Sequence, residues 1–103
     1  MEKTKRQRLE AGGWAVGDAA EFLNLSPAEV EFLELRFELA KYFRRLRTGA
    51  DLTQTQAAKQ LRSSQSRVAK MELADKSVSM DLLIRSILGL GGTREMVAAA
   101  ICR

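Results

Sequence analysis

Apolar positions recur with helical spacing through most of the chain, and no stretch shows the every-second-residue pattern of a half-buried strand. The clearest start is Ser26-Pro27-Ala28-Glu29. Serine suits the N-cap, proline the first helical position, and a glutamate three residues after the serine completes a capping box, with Leu25 and Val30 placed as a hydrophobic staple. These signals predict a long helix to about Arg47, ended by Gly49. At about 100° per residue it carries two apolar stripes. Phe32, Leu35, Leu39, Phe43 and Leu46 run its whole length, while Val30, Leu33, Phe37 and Ala40 cover a second face over the first half only. That second stripe needs a cover, either residues 14 to 25 of the chain itself or a partner, and the two are compatible.

Shorter helices are expected on both sides. Asp18 with Glu21 resembles a capping pair for Ala19 to Leu23, with Asn24 as the stop. Thr53 with Gln56 opens a helix of about two and a half turns, whose narrow apolar face of Ala57, Ala58 and Leu61 allows a close crossing. Ser64 caps the next helix, in which Val68 and Met71 point inward and Gln65, Ser66, Arg67 and Lys70 outward. Ser79 caps Met80 to Leu90, and Thr93 caps Arg94 to Ile101 after the Gly91-Gly92 break. Residues 1 to 13, polar and without a period, read as a flexible basic arm. Residues 14 to 25 read as a short N-terminal helical extension anchored by Trp14.

Composition narrows the chemistry. A chain of 103 residues is one domain's worth, and it buries a little over 60% of its unfolded surface by the usual scaling, roughly. There is no histidine and a single cysteine, Cys102, so a His-dependent triad, a Cys-His dyad and a Cys/His zinc site are all excluded. The carboxylates fall mostly on one solvated helix face rather than converging, so no catalytic residue, cofactor or metal is expected and the chain is not read as an enzyme. A lone cysteine fits a reducing compartment. With no apolar run of membrane-spanning length and no signal-peptide core in MEKTKRQRLE, a cytoplasmic protein with no membrane contact is expected.

The net charge of +4 is modest, but its distribution is uneven. Residues 14 to 40 hold one basic and six acidic side chains, net −5, whereas residues 41 to 76 hold nine basic and three acidic, net +6. The basic field therefore coincides with the pair of short helices. Two such helices, separated by about three residues and with the second polar outside, suit a helix placed in the DNA major groove while its neighbour braces it across the backbone.

The residues in that pair resemble a known family. Leu52-Thr53-Gln54 opening the first short helix, Ala58 within it, Leu61 at its end, Ser64 opening the second, then Val68 and Glu72, are similar to the XRE or phage-repressor helix-turn-helix class. The likeness spans residues 41 to 90 and implies an all-α, compact five- or six-helix, lambda-repressor-like domain over residues 26 to 103. Its bracing helix would lie at about 53 to 61 and its recognition helix at about 64 to 73. The resemblance also implies roles. Gln54 contacts a phosphate, Ser64 caps the recognition helix beside the backbone, Gln65, Ser66 and Lys70 reach base edges, and Arg67 takes a phosphate or a guanine. Such pairings are chemically sound, since glutamine matches adenine and lysine or arginine matches guanine. Arg47 and Glu72 correspond to a structural salt bridge. Arg44, Arg45 and Lys59 belong to the general field, and Arg62 is the best additional phosphate contact. The sequence departs from the family at Ala57, which replaces a larger aliphatic, and at Ser63, which replaces an apolar residue. Asp51, Arg62 and Ala74 stand where glycine is usual, and the turn at Arg62 calls for a positive φ.

These features give the expectation of a homodimeric transcriptional repressor on a double-stranded operator, of bacterial or phage origin and nucleoid-associated when bound. The section from Gly13-Trp14 through Phe22-Leu23, with the long helix and the 63 to 72 segment, is similar to small HigA-like antitoxins, which repress their own operon and bind a RelE-like toxin. A phage-type or stand-alone XRE repressor without a toxin is the alternative, as is a protein-interaction module that keeps the fold without specific DNA binding. Lys3, Lys5, Arg6 and Arg8 read as solvated terminal charges, with minor-groove insertion as the alternative.

Overall fold

A computed structural model describes residues 24 to 102. The described residues are helices and turns, without strands: α1 Pro27–Gly49, α2 Gln54–Gln60, α3 Gln65–Glu72, α4 Met80–Gly89 and α5 Arg94–Ile101. The expected helix at Ala19 to Leu23, the Trp14 anchor and the basic arm lie outside the described residues. The chain divides into two units, one ending at Glu34 and the other starting at Leu35.

In the first unit, Ser26 and Glu29 start α1 with reciprocal bonds. The Glu29 amide donates to Ser26 Oγ at 3.2 Å and the Ser26 amide to Glu29 Oε1 at 3.5 Å, satisfying two of the four amides a helix start leaves open.

The second unit holds the core, whose largest fully buried side chains are Leu39 and Phe43 of α1, Val68 and Met71 of α3, and Leu83 and Ile87 of α4. Burying each is worth about 1.5–3 kcal/mol against exposure. The two expected stripes of α1 do not separate here. Phe37 and Ala40 from one and Leu39 and Phe43 from the other are all buried, while Phe32, expected on the full-length stripe, is 48% exposed. Close spacing of small residues is used where helices meet, with Ala57 and Ala58 buried where α2 packs on α3.

Four helices end in the same closure. After α1, α2, α3 and α4 the second residue past the cap donates its amide five residues back, and the first donates three residues back; the longer bonds run from Leu52 to the Arg47 carbonyl at 3.2 Å, Ser63 to Ala58 at 2.8 Å, Asp75 to Lys70 at 3.0 Å and Gly92 to Ile87 at 2.9 Å. This Schellman geometry places one residue in the left-handed region. Only α4 puts glycine there, at Gly91 with φ 96°; the other three use Asp51 (φ 58°), Arg62 (φ 56°) and Ala74 (φ 53°). These are the three positions at which the sequence departs from the family's glycine. The turn geometry is kept, and the side chains carry the strain, about 1–2 kcal/mol for an L-residue and less for aspartate. Arg62 is exposed, so Arg62→Gly removes strain without opening a cavity. Allowing for glycine's extra unfolded entropy, a gain of about 0.5–1 kcal/mol and a melting temperature a few degrees higher are expected by thermal circular dichroism.

Candidate nucleic-acid interface

α2 and α3 are each set by their caps. Thr53 and Gln56 form a complete capping box, the Gln56 amide donating to Thr53 Oγ1 at 3.1 Å and the Thr53 amide to Gln56 Oε1 at 2.9 Å. Ser64 Oγ accepts the Arg67 amide at 3.1 Å. Between the caps, Leu61, Arg62 and Ser63 make the turn, with Arg62 in the left-handed region. Val68 and Met71 anchor α3 from beneath, and Met71 Sδ accepts the Ser86 hydroxyl of α4 at 3.3 Å. Their burial fixes the rotation of α3 and leaves Gln65, Ser66, Arg67 and Lys70 exposed. The first turn of α3 has no acidic residue, so the partial positive charge of the helix N-terminus is not neutralised within it. Lys59 and Arg62 are exposed as well.

A chain of polar contacts ties this face to the interior. Gln65 Nε2 donates to Gln54 Oε1 at 2.7 Å, and Gln54 Nε2 donates to Glu72 Oε1 at 3.1 Å. Glu72 also accepts Arg47 Nε on its other oxygen and Arg47 Nη2 at 3.1 Å, while Arg47 Nη1 reaches the Leu52 carbonyl at 2.7 Å. The hydrogen bonding that Arg47 donates to the Glu72 carboxylate raises the Arg47 pKa above its ordinary range, against the opposing effect of burial. Arg47 and Glu72 side chains are only 11% and 5% exposed, so this is a forked pair in a partly desolvated setting. Arg44 Nε lies 3.9 Å from Glu72 Oε1 with its side chain 68% exposed, and contributes little.

The structure thus brings Gln54, Gln65, Arg47 and Glu72 into one network and sets Ser66, Arg67 and Lys70 beside it. Arg62 sits apart, in the turn. A concavity next to α3, lined by Ser64, Ser66, Arg67 and Lys70, also takes in Ser77 of the following loop. Sequence reasoning missed this loop and the residue that holds it, Arg36, whose guanidinium reaches the Asp75 and Val78 carbonyls. A signal was present, since Arg36 is the one basic residue of the 14 to 40 segment and falls between Phe32, Leu39 and Phe43 on an apolar face.

Within the loop, Asp75 Oδ1 accepts the Ser77 amide at 2.9 Å and the Ser77 hydroxyl at 2.6 Å. Those bonds hold the Asp75 pKa below its ordinary value, helped by nearby Lys70 and Lys76. A depressed carboxylate stabilises the fold above its unfolded pKa, and that contribution is lost as the pH falls through its folded value. Amide exchange at Ser77 is therefore expected to quicken as the pH drops below the usual aspartate range, relative to its intrinsic rate, and Asp75→Asn is expected to flatten that dependence.

Comparison with known proteins agrees with the geometry. A helix-turn-helix domain family matches residues 38–100. The chain belongs to that family. No curated protein and no solved structure matches it. The helix-turn-helix domain points to a DNA-binding regulator, and α2 and α3 lie within the matched residues. Among the described residues no helix is long and apolar enough to cross a membrane.

Proposed function

We propose that this helix-turn-helix protein is a sequence-specific transcriptional repressor that inserts α3 into the major groove of double-stranded DNA as a symmetric homodimer. The observation that carries this reading is the tether from Glu72 through Gln54 to Gln65. It orders a glutamine side chain at the start of a helix whose exposed face, Gln65, Ser66, Arg67 and Lys70, carries no acid, and an ordered amide can exchange paired bonds with an adenine edge. Lys70 and Arg67, on the same helix, match guanine or phosphate, and Ser64 matches backbone oxygen. A single module of this size covers about 600–1,000 Å² of protein surface, so two copies on two half-sites are needed for full specificity. The same reading assigns the chain no catalysis.

Selection of binding sites from random duplex DNA, at two salt concentrations, tests it. A two-fold symmetric consensus with half-sites about 10 bp apart, or a multiple of that, and a steep salt dependence are expected. Weak binding without a consensus would favour the protein-interaction module instead.

The finer assignment to the HigA-like antitoxins rests on the N-terminal section and on the acidic 14 to 40 segment, net −5, which suits a basic ribonuclease. Co-expression with a RelE-like ribonuclease is expected to yield a stable complex that deletion of residues 1 to 25 disrupts. A deletion that leaves the complex and the oligomeric state unchanged would remove the N-terminal section from toxin binding, and no complex with the full chain would favour a stand-alone repressor.

A further inference from the structure

The loop that leaves α3 is held by a residue about forty positions upstream. Arg36, buried to 7% exposure, directs Nη2 to the Asp75 carbonyl at 2.5 Å and to the Val78 carbonyl as well. Two carbonyls three residues apart are thereby drawn onto one nitrogen, which fixes the chord of the loop. A planar guanidinium suits this task, because its donors are fixed relative to one another and it stays charged.

The loop so fixed lies beside the reading face. Ser77 and Val78 share one concavity with Ser64, Ser66, Arg67 and Lys70. The Asp75 amide donates to the Lys70 carbonyl at 3.0 Å, so Lys76, the next residue along, starts from the end of α3 that carries Lys70. Asp75 is itself occupied by Ser77, and Lys76 is exposed.

We infer that Arg36 is a positioning residue that presents the Asp75–Val78 loop to the DNA, with Lys76 meeting a backbone phosphate next to the groove that α3 enters. The inference rests on the proposed DNA-binding function. It separates two duties on the basic face: base edges are read from α3, and the loop supplies register without sequence information.

The test uses the full chain and a selected duplex site, with binding followed by fluorescence anisotropy over a series of salt concentrations, at a temperature where circular dichroism shows each variant folded. Lys76→Gln is expected to weaken binding by roughly three- to tenfold and to make the log–log salt slope shallower by about 0.9, the value of one phosphate, while the ranking of sites is unchanged. Arg36→Met is expected to reproduce the same loss of slope, and the double variant to lose no more than either. A residue that only stabilised the fold would lower the melting temperature and leave the slope alone. Should Arg36→Met fail to fold, Arg36→Lys, which keeps the charge and loses the planar fork, decides by the same slope. A wild-type chain that selects no site overturns the DNA-binding reading and this inference with it. A wild-type chain that selects a site while Lys76→Gln and the Arg36 variant keep its slope overturns the inference alone.

Discussion

Glu72→Ala is expected to cost about 3 kcal/mol, the low end for breaking a desolvated ion pair. The Glu72 carboxylate accepts Arg47 on both oxygens and Gln54 on one. Its removal strands the Arg47 guanidinium, whose side chain is 11% exposed, with only the Leu52 carbonyl as a remaining partner. A domain of this size has about 5–15 kcal/mol of stability in all, so the melting temperature is expected to fall by about 10–20 °C. Urea or thermal denaturation measures it. The comparison that isolates the cause is Arg47→Met with Glu72→Leu. Replacing both partners by apolar side chains leaves no charge stranded, and most of the lost stability is expected to return. A double variant as unstable as Glu72→Ala would mean that packing, not the uncompensated charge, governs this corner of the fold.

The largest effect on recognition is expected from Lys70 and Gln54, and the two differ in kind. Lys70 is exposed on α3 and is assigned a base edge, so Lys70→Ala is expected to cost about 1–3 kcal/mol, or roughly five- to 150-fold, on the preferred site and to relax the preference at one base pair per half-site. The proposed function gives Gln54 two roles. If it contacts a phosphate, its loss weakens binding to all sequences alike, and since it accepts the Gln65 amide at 2.7 Å, its loss also frees the side chain assigned to a neighbouring base. Gln54→Ala is therefore expected to lower affinity broadly and to blur the position read by Gln65. In a cycle of Gln54→Ala and Gln65→Ala, the two effects are expected to fall short of additivity by about 0.5–1.5 kcal/mol. Strict additivity would mean that the tether does not persist in the complex. Competition binding with single-base variants of the selected site gives both answers.

Much of the fold was legible because caps are local. Ser26, Thr53, Ser64, Ser79 and Thr93 announce their helices by residue type and by the helical spacing of the apolar positions after them, and each accepts the amide three residues on. Burial of Val68 and Met71, and with it the outward face of α3, came from period alone. The features that escaped were set by contacts distant in sequence. Which face of α1 is buried depends on the elements that pack against it, so the two stripes merged around Phe37, Leu39, Ala40 and Phe43. The Arg36 clamp joins residues 39 and 42 positions apart, so periodicity could put Arg36 on an apolar face but could not name the carbonyls it holds. Glycine-type turns also survived without glycine at Asp51, Arg62 and Ala74, because the amides and carbonyls they satisfy outweigh the strain of one left-handed residue each.

Whether α3 reads base edges in the major groove is tested most directly by replacing the purines of a selected half-site with their 7-deaza analogues. That exchange removes the N7 acceptor presented in the major groove and keeps Watson–Crick pairing and the phosphate backbone. A loss of at least about tenfold in affinity, with an unchanged salt slope, is expected where Gln65 or Lys70 pairs with N7. Equal affinity for the natural and the 7-deaza duplex would contradict the assignment of α3 to the major groove.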